Sequence, residues 1–187
     1  MRTLIAGVGY HNLSDLSAGP RVAARLRREA WPAHVEVDDL SYGPIAVVHR
    51  FVEAAPPYRR LVLLGAADRG RKVAPIRCYR WEGVLPPAEE VQARVAEAVT
   101  GVIDLDNLLV VAQQFGALPE EVFVVEVQPV VTEFGLEPGP EVAALLPEAC
   151  RLARRIALTG SAAVAGRVLL EIGHAHLIPA RGPRTGV

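Results

Sequence analysis

The side chains in this chain best able to move a proton or hold a metal are a few histidines and aspartates. His11 and Asp15 stand four residues apart, and an imidazole beside a carboxylate can act as a base or a metal ligand. A surface loop with a turn-forming Asp accounts for the same two residues. Asp38 and Asp39 end a short apolar alternation, where they either face a ligand or make a turn. Asp68 follows the apolar run Leu61-Val62-Leu63-Leu64. Asp104 and Asp106 stand at the start of a helical pattern, where capping of free N–H groups and the positive end of the helix dipole explain an acidic residue more simply than catalysis does. His174 and His176 could chelate but lack a third ligand, and His34 and His49 are assigned no role. Cys78 on an apolar strand and Cys150 on a buried helix face read as small hydrophobes, so a cysteine nucleophile is not expected.

Glycine patterns that bind phosphates are absent in their working spacing. Gly7-Val8-Gly9 followed by Gly19 is not GxGxxG, and ten residues are too many for the tight turn that sets a pyrophosphate on a helix N-terminus. Gly65-Ala66-Ala67-Asp68-Arg69-Gly70 lacks the Lys-Ser/Thr of a phosphate-binding loop.

Alternating β-branched runs and helical stretches must position these groups. Apolar or alternating runs at residues 3–8, 34–37, 60–66, 76–81 and 122–127 read as five strands, four of them apolar enough to be interior and 76–81 suited to an edge. Helical patterns begin at Gly19-Pro20 and cover about 45–54, 88–99, 104–115 and 140–158, the last with Val142, Leu145, Leu146, Ala149, Leu152 and Ile156 on its inner side. Gly116 suits a left-handed position just past a helix end. The expected fold is α/β, a three-layer helix/sheet/helix sandwich around a mostly parallel sheet. Residues 1–158 read as one domain and 159–187 as an appendage, with one helix at 162–172 and a Pro-, Gly- and Arg-rich end. In open parallel sheets ligands bind at the carboxyl ends of the strands. That region holds His11, Asp15, Asp39, Asp68 and Asp104.

Composition narrows the function. Twenty Lys plus Arg against 21 Asp plus Glu leave a net charge of −1, which gives no general attraction to nucleic acid or an anionic membrane. Two cysteines make no disulfide scaffold, and the first apolar run is too short for a secretory signal, so a cytoplasmic location is expected.

The order of segments resembles the hydrogenase maturation proteases, small endopeptidases that remove a C-terminal extension from the nickel-loaded large subunit of nickel-iron hydrogenase. Leu4-Ile5-Ala6-Gly7-Val8-Gly9, Asp15 and Gly19-Pro20-Arg21-Val22-Ala23 are similar to the family's first strand, acidic loop and following helix. Val35 to Asp39 is similar to its second strand. Phe115-Gly116-Ala117-Leu118-Pro119 with Glu121-Val122-Phe123-Val124-Val125 is similar to its final strand and lead-in, and Val127-Gln128-Pro129, Gly135-Leu136, Pro140-Glu141-Val142 and Leu146-Pro147-Glu148-Ala149 to its closing segment and helix. The resemblance implies a phosphorylase/hydrolase-like sandwich, a polypeptide partner and a single metal, the substrate's nickel, held by an acidic residue in the first loop, an aspartate ending the third strand and a histidine before the penultimate helix. Those positions fall on Leu16, Gly65 and Gly101, none of which has a metal-binding side chain. No histidine occurs between His49 and His174. The expectation is a divergent relative without the usual nickel-recognition site and with no cofactor, acting as a binding or assembly factor or a repurposed hydrolase built on His11 with Asp15 or Asp39. The alternative is an active endopeptidase that rebuilds a nickel site from Asp15, Asp39, Asp68 and Asp104.

Overall fold

A computed structural model describes residues 1–71 and 76–160. Five strands, β1 (Thr3–Gly7), β2 (Val35–Asp39), β3 (Arg60–Ala66), β4 (Ile76–Arg80) and β5 (Glu121–Val127), form one sheet in the order β2-β1-β3-β5-β4. All neighbours are parallel except β4, which runs antiparallel along β5. Five helices connect or flank them: α1 (Ala18–Leu26), α2 (Pro44–Glu53), α3 (Ala88–Val99), α4 (Leu105–Gln114) and α5 (Pro140–Thr159). The helix expected at 162–172, together with His174 and His176, lies outside the described residues.

Alternation along the strands divides the core between two faces. Leu4, Ala6, Leu61, Leu63, Val122 and Val124 pack on one side with Leu105, Leu108, Leu109 and Val111 of α4 and with Val47 and Phe51 of α2. Ile5, Val62, Leu64, Phe123 and Val125 pack on the other with Val22 and Leu26 of α1 and Val142, Leu146, Leu152 and Ile156 of α5. Each Val, Leu, Ile or Phe among them contributes about 1.5–3 kcal/mol through removal from water. The α/β three-layer sandwich is therefore the observed fold. α4 is buried from Leu105 to Ala112 because it lies between the sheet and the helices α2 and α3.

Three strands, not four, are interior. β2 forms the second edge: beyond Val35 its residues are only half-buried, and its Glu36 and Asp38 side chains pair with arginines. The first helix begins one residue before Gly19, and a single 3-10 turn, Ser14–Ser17, precedes it. Cys150 is half-buried, whereas Cys78 is enclosed and burial pushes its thiol up to about 11.

The early glycines are packing devices. A Cβ on Gly7 would lie 2.3 Å from the carbonyl oxygen of Gly19, and one on Gly19 would lie 2.3 Å from that of Leu64. Backbone therefore meets backbone where α1 crosses β1 and β3, and only glycine fits. At the opposite end of the sheet the buried Arg60 donates to the last carbonyls of α5, Ile156 and Ala157 (3.3 and 3.1 Å), and pairs with Glu121. A cation there suits the negative helix end. No helix among the described residues is long and apolar enough to cross a membrane.

Candidate functional site

The strand order changes direction between β1 and β3, so the crevice expected of such sheets opens above their carboxyl ends. On the β1 side the chain runs through Val8 and Gly9 into the 3-10 turn. There Asp15 is fully buried and its carboxylate accepts three backbone N–H bonds, from Val130 and Val131 (2.8 Å each) and Gly139 (2.7 Å). The same turn is tied to the segment between β5 and α5 by Ser14 N–H to the Gly135 carbonyl and Gly135 N–H to the Asn12 carbonyl, both 3.0 Å. Asp15 thus holds one loop to another, and it does not meet His11.

His11 instead meets Asp39, with Nε2 3.0 Å from Oδ2. The other carboxylate oxygen accepts from the Ser41 N–H at 3.0 Å. When Nε2 donates to Asp39, Nδ1 is left as an acceptor, the geometry of a base oriented by a carboxylate. The pair borders a pocket of about 300 Å³ whose other wall is Arg21 and Ala24 of α1 with Ser17 and Arg27 at its two ends. Asp38 bridges Arg27 and Arg50.

The β3 and β5 side is closed by charge. Arg69 is 7% exposed and forks onto Asp106 with two 2.7 Å bonds while also reaching Glu126 at 2.9 Å. Arg71 lies 2.8 Å from the other oxygen of Glu126, and the Tyr79 hydroxyl donates to Glu126 at 3.3 Å. Burial, with the nearby negative charge of Glu126 adding to it, raises the Tyr79 hydroxyl well above the usual phenol value. Asp68 stands outside, exposed, accepting from Gly70 N–H (3.0 Å) and the Gln128 side-chain amide (2.7 Å). Asp104 is the N-cap of α4 and accepts from Asn107 N–H at 2.8 Å. Burial raises its carboxyl above the usual range, and the Asn107 bond opposes that rise.

Of the five aspartate and histidine candidates, the structure brings together His11 and Asp39. Asp15, Asp68 and Asp104 are separately engaged. Arg69 and Glu126 had no place in the sequence reading. Glu126 did leave a signal: it is a charged residue inside Glu121-Val122-Phe123-Val124-Val125-Glu126-Val127, in phase with the buried Val122 and Val124, and a buried carboxylate needs a cation.

The three positions where the resemblance expects metal ligands are shaped as follows. Leu16 is half-buried and packs toward the core between the sheet and helices α1 and α5. A Cβ on Gly65 would lie 2.8 Å from Leu105 Cγ and 2.9 Å from the Val8 carbonyl oxygen, so the space for a side chain is filled. Gly101 has φ +85°, a conformation that favours glycine, and opens on empty space. Among the described residues no three His, Cys, Asp or Glu side chains are grouped to hold a metal ion.

No family model matches the sequence and no curated protein matches it. Solved structures do. A hydrogenase 2 maturation peptidase from a Thaumarchaeota archaeon is 25% identical with a TM-score of 0.58, covering 86% of this chain and 99% of its own. The hydrogenase maturating endopeptidase HybD from Escherichia coli is 23% identical with a TM-score of 0.59, covering 81% and 89%. A [NiFe] hydrogenase maturation protease, HycI from Thermococcus kodakarensis, is 19% identical with a TM-score of 0.56, covering 84% and 90%. The likeness read from segment order therefore holds in three dimensions: the chain has the fold of the hydrogenase maturation proteases and is related to them at low sequence identity.

Proposed function

We propose that this chain is a divergent, cytoplasmic relative of the maturation proteases that engages a hydrogenase-type large-subunit precursor as a binding or assembly factor, without the nickel-guided cleavage site. The observation that carries this reading is the filled position at Gly65, where the end of Leu105 occupies the space an aspartate side chain would need. Two further features support it. Asp15, the acidic residue beside the first aligned position, has its oxygens engaged by Val130, Val131 and Gly139 N–H groups. The neighbouring carboxylates Asp106 and Glu126 are neutralised by Arg69 and Arg71. Nickel favours imidazole and carboxylate donors, and the aligned positions supply none.

A repurposed hydrolase is the second reading, favoured by the His11–Asp39 pair at the edge of a pocket large enough for a small ligand or a side chain. The protein, incubated with a nickel-loaded hydrogenase large-subunit precursor, is expected to form a complex on size-exclusion chromatography while mass spectrometry finds the precursor at its original length. A shortened precursor, with loss of shortening in the Asp15→Asn variant, would establish the endopeptidase instead. Turnover of ester or peptide substrates abolished by His11→Ala would favour the repurposed hydrolase.

A further inference from the structure

The segment between β5 and α5 carries three of the ten large hydrophobic side chains exposed among the described residues: Val130 (57%), Phe134 (78%) and Leu136 (64%). Their exposure follows from how the segment is fixed. Gly135 pairs with the stretch Asn12–Ser14 through backbone bonds and is turned inward; a Cβ there would fall 2.3 Å from Ser14 Oγ. The chain bends on either side of this single bridge, which leaves Phe134 and Leu136, its two neighbours, exposed to solvent. Ser14 Oγ donates to the Glu133 carbonyl at 3.0 Å, the three bonds to Asp15 fix both ends, and Arg21 donates to the Leu136 carbonyl. The apolar pair is thus displayed on a restrained backbone, which lowers the ordering cost of binding.

Charge specifies the partner. Residues 130–141 contain Glu133, Glu137 and Glu141 and no Lys, Arg or His. Glu133 is exposed, and Glu137, 76% exposed, is paired with Arg21 at 2.7 Å. Clustered exposed apolar residues rimmed by polar groups mark interaction surfaces. From this we infer that Phe134 and Leu136, flanked by Glu133 and Glu137, form a docking ridge for an extended polypeptide segment that alternates apolar with Lys or Arg side chains. The inference rests on the binding reading above and names the chemistry of the segment captured.

The test uses the whole chain and a fluorescein-labelled synthetic peptide alternating Leu with Lys, beside a counterpart alternating Leu with Glu, followed by fluorescence anisotropy. The basic peptide binds and the acidic one does not. Phe134→Ser combined with Leu136→Ser weakens binding by about tenfold or more, as expected for loss of apolar anchors, whereas Phe134→Leu retains it. Glu133→Gln with Glu137→Gln weakens it severalfold, and the difference from the parent shrinks in high salt. All four positions are exposed, and circular dichroism checks that the variants fold. Equal binding of both peptides, or unchanged binding in the double Ser variant, overturns the inference. So does concentration-dependent self-association of the parent that the double Ser variant abolishes, because the ridge then serves a second copy of this chain. Precursor capture that survives the double Ser substitution sinks the ridge and leaves the binding function standing; peptide binding at the ridge without precursor capture does the reverse.

Discussion

Two groups of charged side chains flank the same crevice and have opposite characters. Above β1 and β2, His11 and Asp39 are 60% and 22% exposed and share one 3.0 Å contact. Above β3 and β5, Arg69, Asp106 and Glu126 are 7%, 5% and 1% exposed and are joined by a forked pair and a second carboxylate. An exposed pair keeps its water and its freedom to meet a substrate. A buried set has given up hydration, and each member depends on the others. Position at the carboxyl end of a strand therefore does not make a residue available for chemistry. Availability depends on whether neighbouring groups already satisfy its charge.

The largest effect that would break this contrast is at Arg69. Arg69→Ala leaves Asp106 and Glu126 without their shared cation and is expected to cost about 3–5 kcal/mol in urea unfolding. A loss below about 1 kcal/mol would mean that the cluster is hydrated like an exposed pair. Next comes Asp15→Ala, which removes the shared acceptor of three N–H groups and is expected to cost about 3 kcal/mol. Hydrogen exchange should speed at Val130, Val131 and Gly139 and stay unchanged in β1 and β3. Uniform acceleration across the sheet would show that Asp15 holds the whole fold and not one loop. The smallest effect is at Asp39: Asp39→Asn is expected to change stability by less than about 1 kcal/mol while shifting the His11 imidazole resonance. A loss comparable to that of Arg69 would erase the distinction between the two sides.

Much of the fold was legible along the chain. The boundaries of β3 are those of its apolar run, and Gly116 takes the left-handed conformation (φ +62°) just past α4. β2 reads as interior but is an edge strand, because a short alternation of apolar and acidic residues looks alike on an edge and in a sheet's middle; its neighbours decide. The site was less legible. Asp104 kept the capping role its place at a helix start suggested, whereas His11 took Asp39 as partner in place of the nearby Asp15.

By itself the sequence determined the α/β alternation, the two-faced core and the lack of donor side chains at Leu16, Gly65 and Gly101, since periodicity and residue type are local properties of the chain. Only the tertiary structure decided which charges meet. Arg69 and Glu126 are 57 residues apart and Asp15 and Gly139 are 124 apart, and such pairings arise from sheet order and loop docking, which no local pattern encodes.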